Sequence, residues 1–362
     1  MIKEKEQKLT VFFLLLLCFF LCFGYTTGSD WPTYENLYEA STDEDKSYLF
    51  LFFEPGFVFY IKLFKSLGIA FFPFLIFTKI LVYIVVISSL KFYCPKNTFY
   101  LSLLFYISWY AFFLFIDNPL RNFIAIAIFL RSLKYLRERR FIPYLFMTLL
   151  AMSFHVSAVI MLILYYFANK SYKTNNIVFF YIVTNIILLS KDLIFSIVNF
   201  LFSSVPIVGA KIEGYAADNV NAEGKLLSMG LIVHTLIFIL IILGRKRIEI
   251  QENGKLIFMF SILSAILFRL GLTITVFGRF QLYITVFYVA AIGIIYYAFD
   301  LRSRVFYLLF VSIISIIPCV SYLIKDSRYI PYTNYMFFLD TNLTLEQRES
   351  YNNKNSDFKS LE

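Results

Sequence analysis

Few polar side chains interrupt the long apolar runs of this 362-residue chain, and four of them have types and settings that suit chemistry. Arg121 follows Asp117-Asn118-Pro119. Asn118 can cap a helix and Pro119 can open it, which leaves the guanidinium in the first helical turn. A helix amino end is itself partly positive, so an anion bound there would be held by the arginine and the free backbone N–H groups together. The other reading is a local pair with Asp117. Arg279 repeats the arrangement after Gly278, with Tyr283 and Phe287 one and two turns further on. Two such arginines on one side can converge on a diphosphate, or Arg279 can serve as an interfacial anchor. His155, in LLAMSFHVSAVIM, lies between two short apolar segments with Ser153 and Ser157 nearby. An imidazole there can act as general base toward a sugar hydroxyl or donate a hydrogen bond to a leaving phosphate; the alternative is a satisfied packing residue. Glu54, in LFFEPGF, can position or deprotonate an acceptor hydroxyl, or simply stabilise a helix dipole.

Other polar residues carry weaker signals. Arg269, inside AILFRLGL, requires a polar cavity or a partner. The loop 203–225, with Lys211, Glu213, Tyr215 and Asp218, and the loop 30–48, with Asp30, Trp31, Tyr34 and Tyr38, have the residue types that line carbohydrate sites and are also ordinary for exposed loops. His234, in LIVHTLIF, reads as structural. The chain has no G-x-x-x-x-G-K motif, and no D-x-D pair that would hold a metal on a nucleotide sugar stands out, so neither ATP nor a nucleotide-sugar donor is expected. Cys18, Cys22, Cys94 and Cys319 are scattered and imply neither a disulfide framework nor a zinc site; no metal and no cofactor is expected.

The elements that position these residues must lie in a membrane. Of the residues 60% are apolar and only 16% charged, against about a quarter in soluble domains. The apolar runs match a hydrocarbon core that needs roughly 20 residues per helix, and with no water to satisfy the backbone they must be helical. The expected fold is an all-α polytopic membrane domain over residues 1–325 with about 10–11 transmembrane helices, followed by a polar, loosely ordered tail over 326–362. The first run, Leu9 to about Gly24, follows Lys3, Lys5 and Lys8 and reads as an uncleaved span. The formal charge of +9 is divided among small clusters between spans, which argues for cytoplasmic loops and against nucleic acid.

Segment 48–68 decides the orientation. If it crossed, RSLKYLRERR (131–140) would lie outside, against the bias of Lys and Arg toward cytoplasmic loops. It is therefore expected to be an interfacial helix, which puts Glu54, Arg121, His155 and Arg279 on the non-cytoplasmic face. Residues 141–168 are too few for two comfortable spans and read as two short helices meeting near His155. Lys191 and Asp192 interrupt the run 176–201.

Several patches, EPGF (54–57), PLRNFIAIAIFLRSLKYL (119–136), LLAMSFHVSAVIML (149–162), GRFQLYITVF (278–287) and YIPY (329–332), resemble in order and spacing the EpsG family of bacterial polysaccharide polymerases, relatives in role of the Wzy O-antigen polymerases. The resemblance covers about residues 30–335, with Asn122 where the family more often has Gln. It implies a glycosyltransferase of the cytoplasmic membrane that makes a surface polysaccharide (exopolysaccharide, capsule or O-antigen). Glycan would pass from undecaprenyl diphosphate to another lipid-linked unit, with a flippase and a chain-length regulator of the same pathway as partners. Arg121 and Arg279 would hold the diphosphate, His155 or Glu54 would take the acceptor proton, and Tyr215, Lys211, Tyr283 and Arg269 would contact substrate. A transporter or flippase of lipid-linked oligosaccharide also needs arginines facing a cavity, but predicts inverted halves that the sequence lacks. A membrane acyltransferase would need His155 on the cytoplasmic side.

Overall fold

In a computed structural model, residues 2–43, 50, 53–117, 119–168, 170–188, 228–272, 275–325, 332–339 and 343–348 are described. In chain order the helices are α1 (Ile2–Cys22), α2 (Trp31–Glu39), α3 (Pro55–Ser66), α4 (Phe71–Tyr93), α5 (Phe99–Tyr106), α6 (Leu120–Arg137), α7 (Phe141–Met152), α8 (Ile160–Phe167) and α9 (Thr174–Ile187). Beyond the loop come α10 (Met229–Leu243), α11 (Arg245–Glu249), α12 (Gly254–Gly271), α13 (Thr275–Ile295) and α14 (Leu301–Lys325). Among the described residues the only β-type pairing is one antiparallel bridge, Gly24 with Asn334. The protein is an all-α polytopic membrane protein.

Among the described residues, five helical segments are long and apolar enough to cross a bilayer: Phe71–Tyr93, Lys96–Asp117, Gly254–Gly271, Phe277–Ala298 and Leu301–Val320. Helix α6, with 18 residues, falls outside that set by composition, because Arg121, Arg131, Lys134 and Arg137 ride on it. Five shorter apolar helices, Gln7–Cys22, Phe141–Met152, Val156–Phe167, Thr174–Ile187 and Met229–Leu243, accompany them. The span made by α13 is 83% buried and that made by α14 only 22%, so α13 is the axis of the bundle and α14 lies at its lipid-facing edge. Hydroxyls tie the axis to its neighbours: Ser102 Oγ donates to the Val289 carbonyl (3.2 Å), and Ser261 Oγ to that of Phe287 (3.0 Å). Such bonds are a main adhesive between helices in lipid, where the hydrophobic effect gives no drive to pack.

Helix α3 is too short to cross a bilayer. Its 12 residues end at Ser66, and its first turn is fastened to the end of α7: the Gly56 and Phe57 N–H groups both donate to the Ser153 carbonyl (2.8 and 3.2 Å). Gly56 permits this approach, since a Cβ at that position would lie 2.8 Å from the same carbonyl oxygen. Residues 141–168 form α7, a break at Ser153–His155, a short 3-10 turn (Val156–Val159) and α8, as their length demands. At the other end α6 closes on Arg139 in the left-handed region (φ 58°), with Arg140 N–H bonded to the Tyr135 carbonyl (2.9 Å).

Two local features add to the expected helical pattern. The Lys96–Asp117 span is not uniformly α-helical: Ile107–Asp117 is π-helical, a wider turn that apolar composition does not encode. In the tail, the described residues 332–339 and 343–348 pack on the helices. Tyr335 N–H donates to the Phe23 carbonyl (2.8 Å), Tyr25 N–H to that of Thr333 (2.9 Å), and the Phe338 ring stacks on Tyr25 at 5.0 Å. Arg348 ion-pairs Glu35.

Candidate active site at one end of the bundle

The starts of α3, α6 and α13, the break between α7 and α8 and the loop before α2 meet at one end of the bundle. Glu54 occupies the N-cap position of α3 in extended conformation (ψ 141°), ahead of Pro55. Its Oε2 accepts from Arg121 Nη1 at 2.6 Å, and its Oε1 from the Val156 N–H at 3.1 Å. Arg121 is the second residue of α6; its guanidinium lies over the Phe53 ring (4.7 Å) and beside Tyr34. The Arg121 Nε is buried without a hydrogen-bond partner among the described residues. A buried unmet donor in the first turn of a helix, where backbone N–H groups also point outward, suits an anion. Burial alone would raise the Glu54 carboxyl, but the Arg121 guanidinium outweighs it and holds the group below the ordinary carboxylate range.

His155 is 6% exposed and caps the 3-10 turn: its Nδ1 accepts from the Ser157 N–H at 3.0 Å. A neutral imidazole has one proton, so accepting at Nδ1 leaves that proton on Nε2. Nε2 lies 3.3 Å from Arg279 Nη1, near the start of α13. Two donors therefore face each other there, an arrangement that an anionic oxygen between or beside them would satisfy. Ser157 Oγ joins the shell beneath, within 3.0 Å of both Asn122 Oδ1 and the Tyr283 hydroxyl. Tyr283, one turn after Arg279, is fully buried, so its contact with Ser157 locks α13 to the turn that carries His155.

On the far side, Asp117 Oδ1 accepts from the Ser29 N–H (3.0 Å) and Oγ (2.7 Å). Gly28 makes the turn that brings Ser29 there; it has φ 91°, and a Cβ on it would strike the Asp117 Cα at 2.8 Å. Asp30, next along, is half-buried. Burial and the neighbouring Asp117 charge raise its carboxyl above the ordinary 3.8, against the opposing pull of Ser29, Arg279 and Arg121.

Glu54, Arg121, His155 and Arg279, spread over more than 220 positions of the chain, thus form one continuous set of contacts. The family model for EpsG matches residues 8–335, a stretch that contains all four. The chain belongs to the EpsG family. Membership makes it a polysaccharide-polymerase-like membrane protein. No match is found among curated proteins or among solved structures.

The remaining expected EpsG site residues distribute unevenly. Tyr283 supports the shell under His155. Arg269 is 5% exposed near the end of α12 and donates to the Leu188 carbonyl at 3.2 Å, with its Nε unpartnered among the described residues. Lys211 and Tyr215 lie outside the described residues, as does Asn118. His234 is buried, bonded to the Tyr288 hydroxyl (2.8 Å) and stacked on Phe268 (3.6 Å), with its Nε2 unpartnered among the described residues. Asp30 and Tyr34 were readable only as loop composition, and Asn122 only as a departure from the family pattern. A weak signal did exist for Asp30: it follows Gly28-Ser29, a turn that ends just before the aromatic start of α2.

Proposed function

We propose that the protein is the polymerase of a bacterial surface polysaccharide, acting at the non-cytoplasmic face of the cytoplasmic membrane. The observation that carries this reading is the clustering of Arg121 and Arg279 about Asp30, with the His155 Nε2 side against Arg279, at the end of the bundle away from the Lys- and Arg-rich turns. Three donors at one place match a polyprenyl diphosphate leaving group, and the positive-inside bias assigns that end to the outer face. Helix α3, too short to cross, supports the same orientation.

In the proposed reaction a hydroxyl oxygen of one lipid-linked glycan attacks the anomeric carbon of another. The bond from that carbon to the diphosphate oxygen breaks, and the diphosphate leaves carrying the electron pair. Arg121, Arg279 and the His155 Nε2–H stabilise the charge that develops on it. Glu54 has both oxygens engaged, so it remains ionised and aims Arg121. Asp30, a carboxylate on which both arginines act, accepts the proton from the attacking hydroxyl.

Deletion of the gene followed by gel analysis of the surface glycan tests the reading. Long chains should vanish while single lipid-linked units still reach the outer face; units trapped inside would instead establish a flippase. Arg121→Ala, His155→Ala and Arg279→Ala, each checked for protein level, should reproduce the deletion. Normal chain length in all three would overturn the site.

A further inference from the structure

Arg137 lies 16 residues beyond Arg121 on α6, roughly 24 Å along the helix and so at the opposite end of the bundle. There a cleft of about 460 Å³ opens between α6 and α4, within the range of small-molecule sites. Arg131, Lys134 and Arg137 all line it, with Ser88, Ser89 and Phe92 facing them from α4, and none of the lining residues is acidic. The adjacent Glu138 pairs with Arg140 instead (3.5 Å). The Arg137 guanidinium sits 4.6 Å over the Phe92 ring and the Lys134 ammonium 4.6 Å over Tyr135, which restrains two of the cations at the cleft. Toward the middle of the bundle the wall turns apolar, with Val85, Leu130 and Met147. A general bias of Lys and Arg toward one end of the spans requires no such cavity.

The two serines narrow the ligand. Ser88 Oγ donates to the Ile84 carbonyl (2.6 Å) and Ser89 Oγ to that of Val85 (2.8 Å), so each hydroxyl offers the cleft lone pairs only. A matching headgroup brings an anion for the cations and a hydroxyl donor for the serines. We propose that this cleft binds a phosphatidylglycerol-type phospholipid, its phosphate against Arg131, Lys134 and Arg137, its glycerol hydroxyl toward Ser88 or Ser89, and an acyl chain along the apolar wall. A phosphatidylethanolamine headgroup would bring an ammonium into a group of three cations and is disfavoured.

Native mass spectrometry of the full-length purified protein, titrated with phosphatidylglycerol or phosphatidylethanolamine, tests this without reference to glycan synthesis. The wild type should retain phosphatidylglycerol several-fold over phosphatidylethanolamine. A triple Arg131→Gln, Lys134→Gln, Arg137→Gln variant should lose that preference and retain the two lipids equally. Ser89→Phe keeps every cation but fills the cleft, and should lose it too. Equal retention of the two lipids by the wild type would overturn the proposal, and needs no variant to fold. So would wild-type affinity in a folded Ser89→Phe protein, which would mean a merely basic surface. Inorganic phosphate should not displace the bound lipid at equal concentration; if it does, the cleft is a site for free phosphate.

Discussion

Glu54 and Asp30 are carboxylates in one site with opposite electrostatic surroundings, and pH should separate them. Arg121 holds the Glu54 carboxyl below the ordinary range. Its contribution to stability is therefore complete above the unfolded value and is lost only as pH falls through the lower folded value. Burial and the Asp117 charge raise Asp30, so folding disfavours its ionised form. The stability linked to Asp30 is full below the unfolded value and is lost as pH rises through the higher folded value. If Asp30 takes the acceptor proton, transfer activity requires its ionised form. The acid limb of the pH–rate profile of the purified protein, assayed with lipid-linked units, should then lie above pH 3.8, the ordinary Asp value. Asp30→Asn should cut the rate by roughly 10²–10⁴-fold and abolish that limb. An unchanged limb in the variant would assign the proton to another group.

Helix α3 shows how an element places a residue it does not itself fix in space. Glu54 reaches Arg121 only because Gly56 lets the first turn of α3 lie against Ser153. Gly56→Ala would press a methyl group onto the Ser153 carbonyl at 2.8 Å, and onto its hydroxyl. The expected cost is about 1–3 kcal/mol of stability, the usual range for overpacking, with a larger loss of glycan chain length because Glu54 is pulled from Arg121. Thermal unfolding in detergent and glycan gels measure the two effects. Restoring only the hydroxyl space with Ser153→Ala should not rescue the variant, because the carbonyl clash remains. Elements like this one were legible in part. The charge cluster at 131–140 required that 48–68 not cross, and the length of 141–168 required a break near His155. The contact between Glu54 and Arg121 was not legible, since it joins residues 67 positions apart and no local pattern records such a distance. Asp117 offered a nearer partner in sequence, yet it accepts from Ser29 across the mouth of the site. The π-helical Ile107–Asp117 segment was equally hidden, because its apolar residues suit either helical turn.

At the scale of the whole molecule, the distribution of charge and the position of the site make one joint statement about orientation. Following the described helices in order, the starts of α4, α6, α8 and α13 share one end, and Arg121, His155 and Arg279 lie there. The ends of α6 and α10 and the starts of α12 and α14 share the other, where Arg131, Lys134, Arg137, Arg245, Lys246, Arg247, Lys255, Arg302 and Arg304 gather. Both termini fit the same alternation: α1 leaves the basic end and arrives at Gly24, whose bridge partner Asn334 follows α14. Because Lys and Arg concentrate in cytoplasmic loops, the site should face outward. Cysteine labelling decides it. In a background with Cys18, Cys22, Cys94 and Cys319 replaced by Ala or Ser, Ser66→Cys at the exposed end of α3 should react with an impermeant maleimide on intact cells. Gln251→Cys, in the exposed turn between α11 and α12, should react only after permeabilisation. The reverse pattern would place the arginines inside, where a diphosphate-linked unit meets the enzyme before crossing the membrane, and polymerisation at the outer face would be untenable.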